Sequence, residues 1–428
     1  MGRSDGVRIG MLGCGTVGGG VVSLLTENAR YLAERVGAPL EIVRIAVRDG
    51  AKARPGVAPS LLTTRPDDVI DDGSVDVVVE LMGGVQPAQG YVERALDRKR
   101  SVVTANKALL AAAGPALLER AVSRGVDMAF EGAVGGGLPI IRILRESLAS
   151  DWVSSLTGIV NGTCNFVLTR MREDGLSFGV ALREAQEKGY AEADPELDVG
   201  GHDAAHKLVV LAMLAFGAKV DPSAIPVEGI RALDEADHAW ADRFGYAIKH
   251  LAVGRDHGDR IELRVHPTLV RKDTPLANVG GVLNAVALEG RALGPLLVSG
   301  RGAGALPTAV SVVSDIVDVA RALRGGGAGL ATRGIQMQAR PVVPAAETTS
   351  RYLLRLRVTE GPRTLATVVS ALADAGVVAS QTVQERGEIV LEADRCEARR
   401  LEAALAAMTS ANVLSDRAKW LRILDEPT

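Results

Sequence analysis

The chain has 428 residues, 47% of them hydrophobic and 24% charged, with a formal net charge of −3. That length exceeds one hydrophobic core and points to two or three domains, and the balanced charge without a basic run excludes nucleic acid and anionic membrane as partners, leaving a small molecule. No stretch reaches the roughly 18 apolar residues of a membrane span, residues 1–7 lack a signal-peptide core, and Cys14, Cys164 and Cys396 are too scattered for a disulfide framework, so a cytoplasmic protein is expected.

From Val7 the sequence reads VRIGMLGCGTVGGGVVSLL: a short apolar run, a glycine cluster, then a helical pattern. Gly13, Gly15 and Gly18 occupy the three glycine positions of a dinucleotide-binding turn, with Thr16 and Val17 between the last two. The first glycine permits the tight turn, the second lets pyrophosphate approach the backbone, and the third lets helix and strand pack closely. LEIVRIAV (40–47) and VDVVVELM (75–82) read as buried parallel strands, and YVERALDRK and AGPALLERAVSRG as the helices between and beyond them. At the end of the second strand, where an acid would bind the ribose hydroxyl of NAD, the chain has Arg48, which suits the 2′-phosphate of NADP; NADP is expected over NAD.

After Leu138 the pattern changes to longer helices, SFGVALREAQEKG and HDAAHKLVVLAMLAF, and then to alternating strands, RIELRVHPTLV and NVGGVLNAVALEG, which predicts an α+β second domain. HDAAHK (202–207) offers two chemistries. His202 and His206 share a helix face at metal-ligand spacing, and so do Asp203 and Lys207 at ion-pair spacing. No confident third ligand stands near the histidines, and a hydrolytic zinc would leave the glycine turn unused, so no zinc is expected. Lys207 heads a helix that is apolar nearly all round, where an ammonium needs a partner, and Asp203 one turn earlier supplies it. Hydride transfer to an aldehyde makes an alkoxide, and a lysine ammonium can polarise the carbonyl and deliver the proton. Cys164 offers a nucleophile for an acylating dehydrogenase, but no base is assigned beside it. NGTCN places Asn161 and Asn165 in a loop that either faces cofactor or substrate or forms an Asx turn. The Gly- and Pro-rich residues 325–350 predict a linker, and from Arg351 the chain alternates strand and helix as a small βαββαβ tail.

GMLGCGTVGGGV, ELMGG (80–84), TANKALLA (104–111), FEGAVGGGLPII (130–141), NGTCNF (161–166), GYAEADPELDVGGHDAAHKL (189–208) and SGRGAGALPTA (299–309) together resemble homoserine dehydrogenases. The resemblance implies NAD(P)H-dependent reduction of aspartate 4-semialdehyde to L-homoserine, on the way to threonine, methionine and isoleucine, by a homodimer. It implies a Rossmann-type doubly wound sheet over 1–137 and about 305–325, a substrate and dimerisation domain over 138–304, and a tail over 351–428 that resembles an ACT domain. It adds Lys107 to Lys207 and Asp203 as a catalytic residue, Glu192 and Asp198 as substrate-binding residues, Asn161 as a cofactor contact, and Glu131, Val134 and Gly136 as the place of a monovalent cation, sodium or potassium. In the tail, Gly361-Pro362-Arg363-Thr364 puts the Arg363 side chain where an amino-acid effector needs space, so threonine feedback is not expected. The alternative from another class is an amino-acid-sensing protein without catalysis, against which Lys107, Asp203 and Lys207 all stand intact.

Overall fold

The computed structural model describes residues 6–327, 329, 336–359 and 361–425. The signal-peptide reading of residues 1–5 and part of the predicted linker therefore lie outside the described residues.

The β-branched runs near the start form a parallel sheet: β1 Val7–Leu12, β2 Leu40–Ala46, β3 Leu62–Thr63, β4 Val77–Glu80, β5 Ser101–Thr104 and β6 Met128–Ala129, in the order β3-β2-β1-β4-β5-β6. Every residue of β4 and β5 is buried, as a sheet covered on both faces requires. Helices Ala88–Asp97 and Lys107–Arg124 cover one face. The other is covered by Thr16–Glu27 and by Ala305–Arg324, which comes back from far along the chain. A Cβ on Gly20 would lie 2.9 Å from the Ala305 carbonyl oxygen, so the glycines of the first helix also set how closely these two helices approach. The strand order reverses between β1 and β4, and ligands of such sheets bind outside the strand ends at that switch point.

The second sheet has nine strands among the described residues. It begins with β7 Val153–Ile159; β8 Ala218–Lys219 stands apart, and β9 Tyr246–Asp256, β10 Ile261–Arg271, β11 Leu283–Gly290 and β12 Gly294–Arg301 complete its first part in the order β12-β11-β7-β9-β10. Helix His202–Ala215 packs against Lys107–Arg124 through one continuous apolar cluster, which joins the two halves where Lys107 and Lys207 lie.

The tail runs strand, helix, strand, strand, helix, strand, as expected, but it is no detached appendage. β13 Gln338–Ala339, within the predicted linker, pairs with β8, and Arg340 donates to the Phe216 carbonyl at 3.1 Å. β14 Thr349–Arg357, β15 Ala379–Glu385, β16 Glu388–Glu397 and β17 Lys419–Ile423 continue the second sheet, with β17 pairing in parallel to β10 through Thr268 and Leu269. Leu353, Val390 and Ile423 of the tail bury against Trp240 and Leu269. The Arg355 guanidinium reaches Asp234, Asp237 and Glu388 at 2.8 to 2.9 Å, and Lys419 reaches the same two aspartates. Those aspartates form the capping box of helix Glu235–Arg243, so the tail is clamped to the start of a helix of the middle region.

Candidate active site

The glycine turn has the conformations its spacing called for. Gly13 has φ +97°, and a Cβ there would stand 2.7 Å from the Leu81 carbonyl oxygen; a Cβ on Gly18 would meet the Gly13 carbonyl at 3.0 Å. Nothing lies within 4 Å of the Cβ position of Gly15, which leaves room for a phosphate against the backbone. Thr16 and Val17 open the helix directly after it, so first-turn N–H groups and the partial positive charge of the helix end face that space. These residues fit a dinucleotide. Arg48 is exposed just past β2. The sequence reading missed Arg54, whose Nε donates to the Cys14 carbonyl at 3.2 Å and whose Nη1 donates to the carbonyls of Asp49 and Lys52 at 3.0 and 2.7 Å. It holds the glycine turn and the Arg48 loop together. An arginine in an irregular loop carries no pattern that would have revealed this.

Asp203 is the hub of the site. Its Oδ1 lies 2.7 Å from Lys107 Nζ, and its Oδ2 accepts from Lys207 Nζ at 2.7 Å and from Asn161 Nδ2 at 2.8 Å. Burial opposes its charge, but the Lys207 and Lys107 ammonium groups outweigh that and hold its carboxyl well below the usual carboxylate range. Burial likewise works against the Lys107 cation, yet Asp203, with Asp198 and Glu192 behind it, keeps Lys107 above the ordinary lysine value. Lys207 donates to the Val160 carbonyl at 2.7 Å as well, and its side chain is 12% exposed against 34% for Lys107. Two lysines remote in sequence thus share one carboxylate.

Asn161 forms the side-chain cap that the Asx reading of NGTCN expected and also joins the Asp203 cluster. Its Oδ1 caps helix Gly162–Asp174 by accepting from the Cys164 N–H at 2.8 Å, while its amide donates to Asp203 and, at 2.8 Å, to Asp198. Asn165 is buried with its amide on the carbonyls of Val279 and Leu283, a packing role. Burial raises the Asp198 carboxyl, the Asn161 hydrogen bond partly offsets this, and Asp203 adds to the rise. Glu192 is exposed on the loop before it. Cys164 is fully buried, burial pushes its thiol well up, and it donates to the Asp198 carbonyl; this is not an activated nucleophile. His202 is exposed, burial lowers His206, and among the described residues no third metal ligand gathers with them.

Glu131 is buried, with its carboxylate accepting the Ile141 and Arg142 N–H groups at 2.9 Å, while its own N–H donates to Asp315 at 2.7 Å. The Gly136 carbonyl accepts from the Ser311 hydroxyl, and a Cβ on Gly136 would clash with the Gly302 carbonyl at 2.5 Å. Val134 is buried between them. The GGG run is therefore a tightly folded crossing of backbone, not a loose turn.

Family models for "Homoserine dehydrogenase" and "Homoserine dehydrogenase, NAD binding domain" match residues 139–317 and 13–131. Homoserine dehydrogenases of Neisseria gonorrhoeae and Pseudomonas aeruginosa are 40% and 41% identical to this chain, each over 97% of it and 98% of their own length. A solved homoserine dehydrogenase from Thiobacillus denitrificans superposes with a TM-score of 0.94 at 40% identity, covering 99% of this chain and 100% of its own. A hyperthermophilic archaeal homoserine dehydrogenase solved in complex with NADPH matches 73% of this chain and 97% of its own at 26% identity and TM-score 0.62.

Proposed function

The chain belongs to the homoserine dehydrogenase family and reduces aspartate 4-semialdehyde to homoserine with a nicotinamide cofactor, and from that premise we propose how its residues carry the reaction. The observation that carries the reading is the meeting of Lys107 and Lys207 on Asp203 at the switch-point edge of the nucleotide-binding sheet. The cofactor supplies the hydride. Gly13, Gly15, Thr16, Val17 and Gly18 would hold its pyrophosphate on backbone N–H groups, and Asn161, hydrogen-bonded to Asp203, would line its site.

Lys107 and Lys207 each keep an N–H beyond those given to Asp203 and Val160, so both can donate to the aldehyde oxygen. As charge develops on that oxygen the two cations stabilise it, and Lys207 releases its proton to it. Asp203 keeps both ammonium groups protonated and aimed. Glu192 and Asp198 take the substrate ammonium; their pull on Lys107 puts them within electrostatic reach of the same space. NADP is preferred over NAD through Arg48, with Arg54 beside it. Glu131, Val134 and Gly136 would hold a monovalent cation, largely through backbone carbonyl oxygens.

The tail is an ACT-like unit, supported by its βαββαβ order, and weak or absent inhibition by threonine is expected, a reading that rests on the side chain of Arg363, exposed just before helix Thr364–Asp374. The enzyme is a homodimer; the edge strand β12, with Leu297 exposed, supports this. Following oxidation of NADPH and of NADH separately, with aspartate semialdehyde present, tests the reading. Oxidation of neither cofactor would overturn it in favour of a non-catalytic sensor.

A further inference from the structure

We propose that Glu80 is a positioning residue for the reduction: its buried carboxylate ties the loop after β4, which abuts the phosphate-facing turn, to the start of the Lys107 helix. The inference rests on the reading of Lys107 as a group that touches substrate.

Glu80 ends β4 with no accessible surface. A buried carboxylate is tolerated only where donors surround it. Here they are neutral and come from two loops. Oε1 accepts from the Met82 N–H at 2.7 Å and more weakly from Asn106 Nδ2 at 3.4 Å, and Oε2 accepts from the Thr104 hydroxyl at 2.6 Å. The same partners close on one another. Thr104 Oγ1 accepts from the Asn106 N–H at 3.0 Å, and Asn106 Nδ2 also donates to the Gly84 carbonyl at 2.7 Å. Asn106 Oδ1 then caps the helix that begins at Lys107, accepting from the Leu109 N–H at 3.1 Å.

On its other side the loop meets the nucleotide turn. The Leu81 N–H donates to the Leu12 carbonyl at 2.8 Å, and the Leu81 carbonyl presses on Gly13 closely enough to exclude a Cβ. Glu80 therefore fixes, through Leu81 and Met82, the floor beside the phosphates, and through Thr104 and Asn106, the residue from which Lys107 reaches Asp203. A carboxylate accepts from every donor in this set. A glutamine must turn its NH2 either toward the Met82 N–H, where donor faces donor, or toward the Thr104 hydroxyl, which must then accept from it and give up its own acceptor. Either way one hydrogen bond of the set is lost and the two loops are no longer tied at both oxygens.

The test measures NADPH Kd, KM for aspartate semialdehyde, kcat per folded site and thermal midpoint for Glu80→Gln, Thr104→Val and Thr104→Ser. Misplacing a group by an ångström can cost up to a hundredfold, so Glu80→Gln is expected to lower kcat by about ten- to a hundredfold, a larger factor than the rise in NADPH Kd. Thr104→Ser, which keeps the hydroxyl, retains kcat, and Thr104→Val loses it; this pair decides the matter if Glu80→Gln does not fold. In a Lys107→Met background, Glu80→Gln adds no further loss of kcat. A variant that lowers only the thermal midpoint, or an equal loss with and without Lys107, overturns the proposal. A Lys107→Met enzyme with wild-type kcat overturns the reading of Lys107 and this proposal with it, whereas an impaired Lys107→Met enzyme beside a fully active Glu80→Gln overturns the positioning role alone.

Discussion

Lys107 Nζ lies 2.7 Å from Asp203 Oδ1, and this ion pair crosses from a helix of the nucleotide-binding sheet to a helix of the middle region. Lys207 holds the other oxygen of the same carboxylate. Loss of a general acid costs about 10²- to 10⁴-fold, so Lys207→Ala should lower kcat by that range with NADPH binding little changed. Lys107→Ala should fall comparably, because it removes the second cation from the developing alkoxide. His206→Ala should keep most activity. Steady-state kinetics on the three variants check this, and a near-normal Lys207→Ala enzyme would leave Lys107 as the donor.

The pH dependence follows from the same carboxylate. Against the pull of burial, Asp203 keeps Lys107 titrating above the ordinary lysine value, and Lys107 stabilises the developing alkoxide only while it is a cation. Turnover therefore falls as pH rises through that raised value. Asp203→Asn removes the anion while keeping an acceptor, and the alkaline fall in kcat should move to lower pH. A profile of kcat against pH with an unmoved alkaline limb would contradict this role for Asp203.

Much of this site was legible in the sequence, since a glycine turn after a strand and an Asp-x-x-x-Lys pair at the head of an apolar helix are local patterns. What was not legible depends on distance along the chain. That Lys107 and Lys207 meet on one aspartate is set by the packing of helix Lys107–Arg124 on His202–Ala215. Glu80 stands in one motif and Thr104 and Asn106 in another, and only the parallel register of β4 and β5 brings the two together. The docking of the tail depends on a two-residue parallel pairing of β17 with β10 and on charges buried at that seam, and neither leaves a periodic signature.

That seam sets what truncation should do. A cut near Ala345 leaves the proposed catalytic residues in place, yet it strips Leu353, Val390 and Ile423 from a shared core and leaves Asp234 and Asp237 without Arg355 and Lys419. Of these pairs Arg355–Asp237 is the one buried on both sides, and breaking such a pair costs at most about 3 to 5 kcal/mol. The shortened enzyme should unfold at markedly lower temperature and lose soluble yield, while the folded fraction keeps turnover. An unchanged thermal midpoint would show that the tail is only loosely joined.

Arg48 and Arg54 make a prediction about cofactor choice. Arg54 ties the Cys14 carbonyl to the loop that carries exposed Arg48, so the two can present guanidinium groups to a 2′-phosphate. Arg48→Ala should weaken NADPH far more than NADH. Arg54→Ala should weaken both, because it also loosens the glycine turn. Equal changes in the two Michaelis constants for Arg48→Ala would show that Arg48 does not read the phosphate.

Asp315 yields the last prediction, on stability. Burial, and then the neighbouring Glu131, pushes its carboxyl up to about 8, against roughly 3.9 in an unfolded chain. Between those values the folded protein holds a proton that the unfolded chain has released. Stability from this group is thus complete below about pH 4, declines as pH rises toward 8 by at most about 1.4 kcal/mol per unit, and is flat beyond. Asp315→Asn keeps a carbonyl oxygen for the Glu131 N–H, which now donates to Asp315 at 2.7 Å, and has no proton to lose. The variant should therefore be more stable than the parent at pH 8, with the difference shrinking toward pH 4. Thermal or denaturant midpoints measured across that range decide it: a difference that stays constant, or grows as pH falls, would mean that Asp315 is ionised in the folded protein and paired with Arg142, 3.8 Å away.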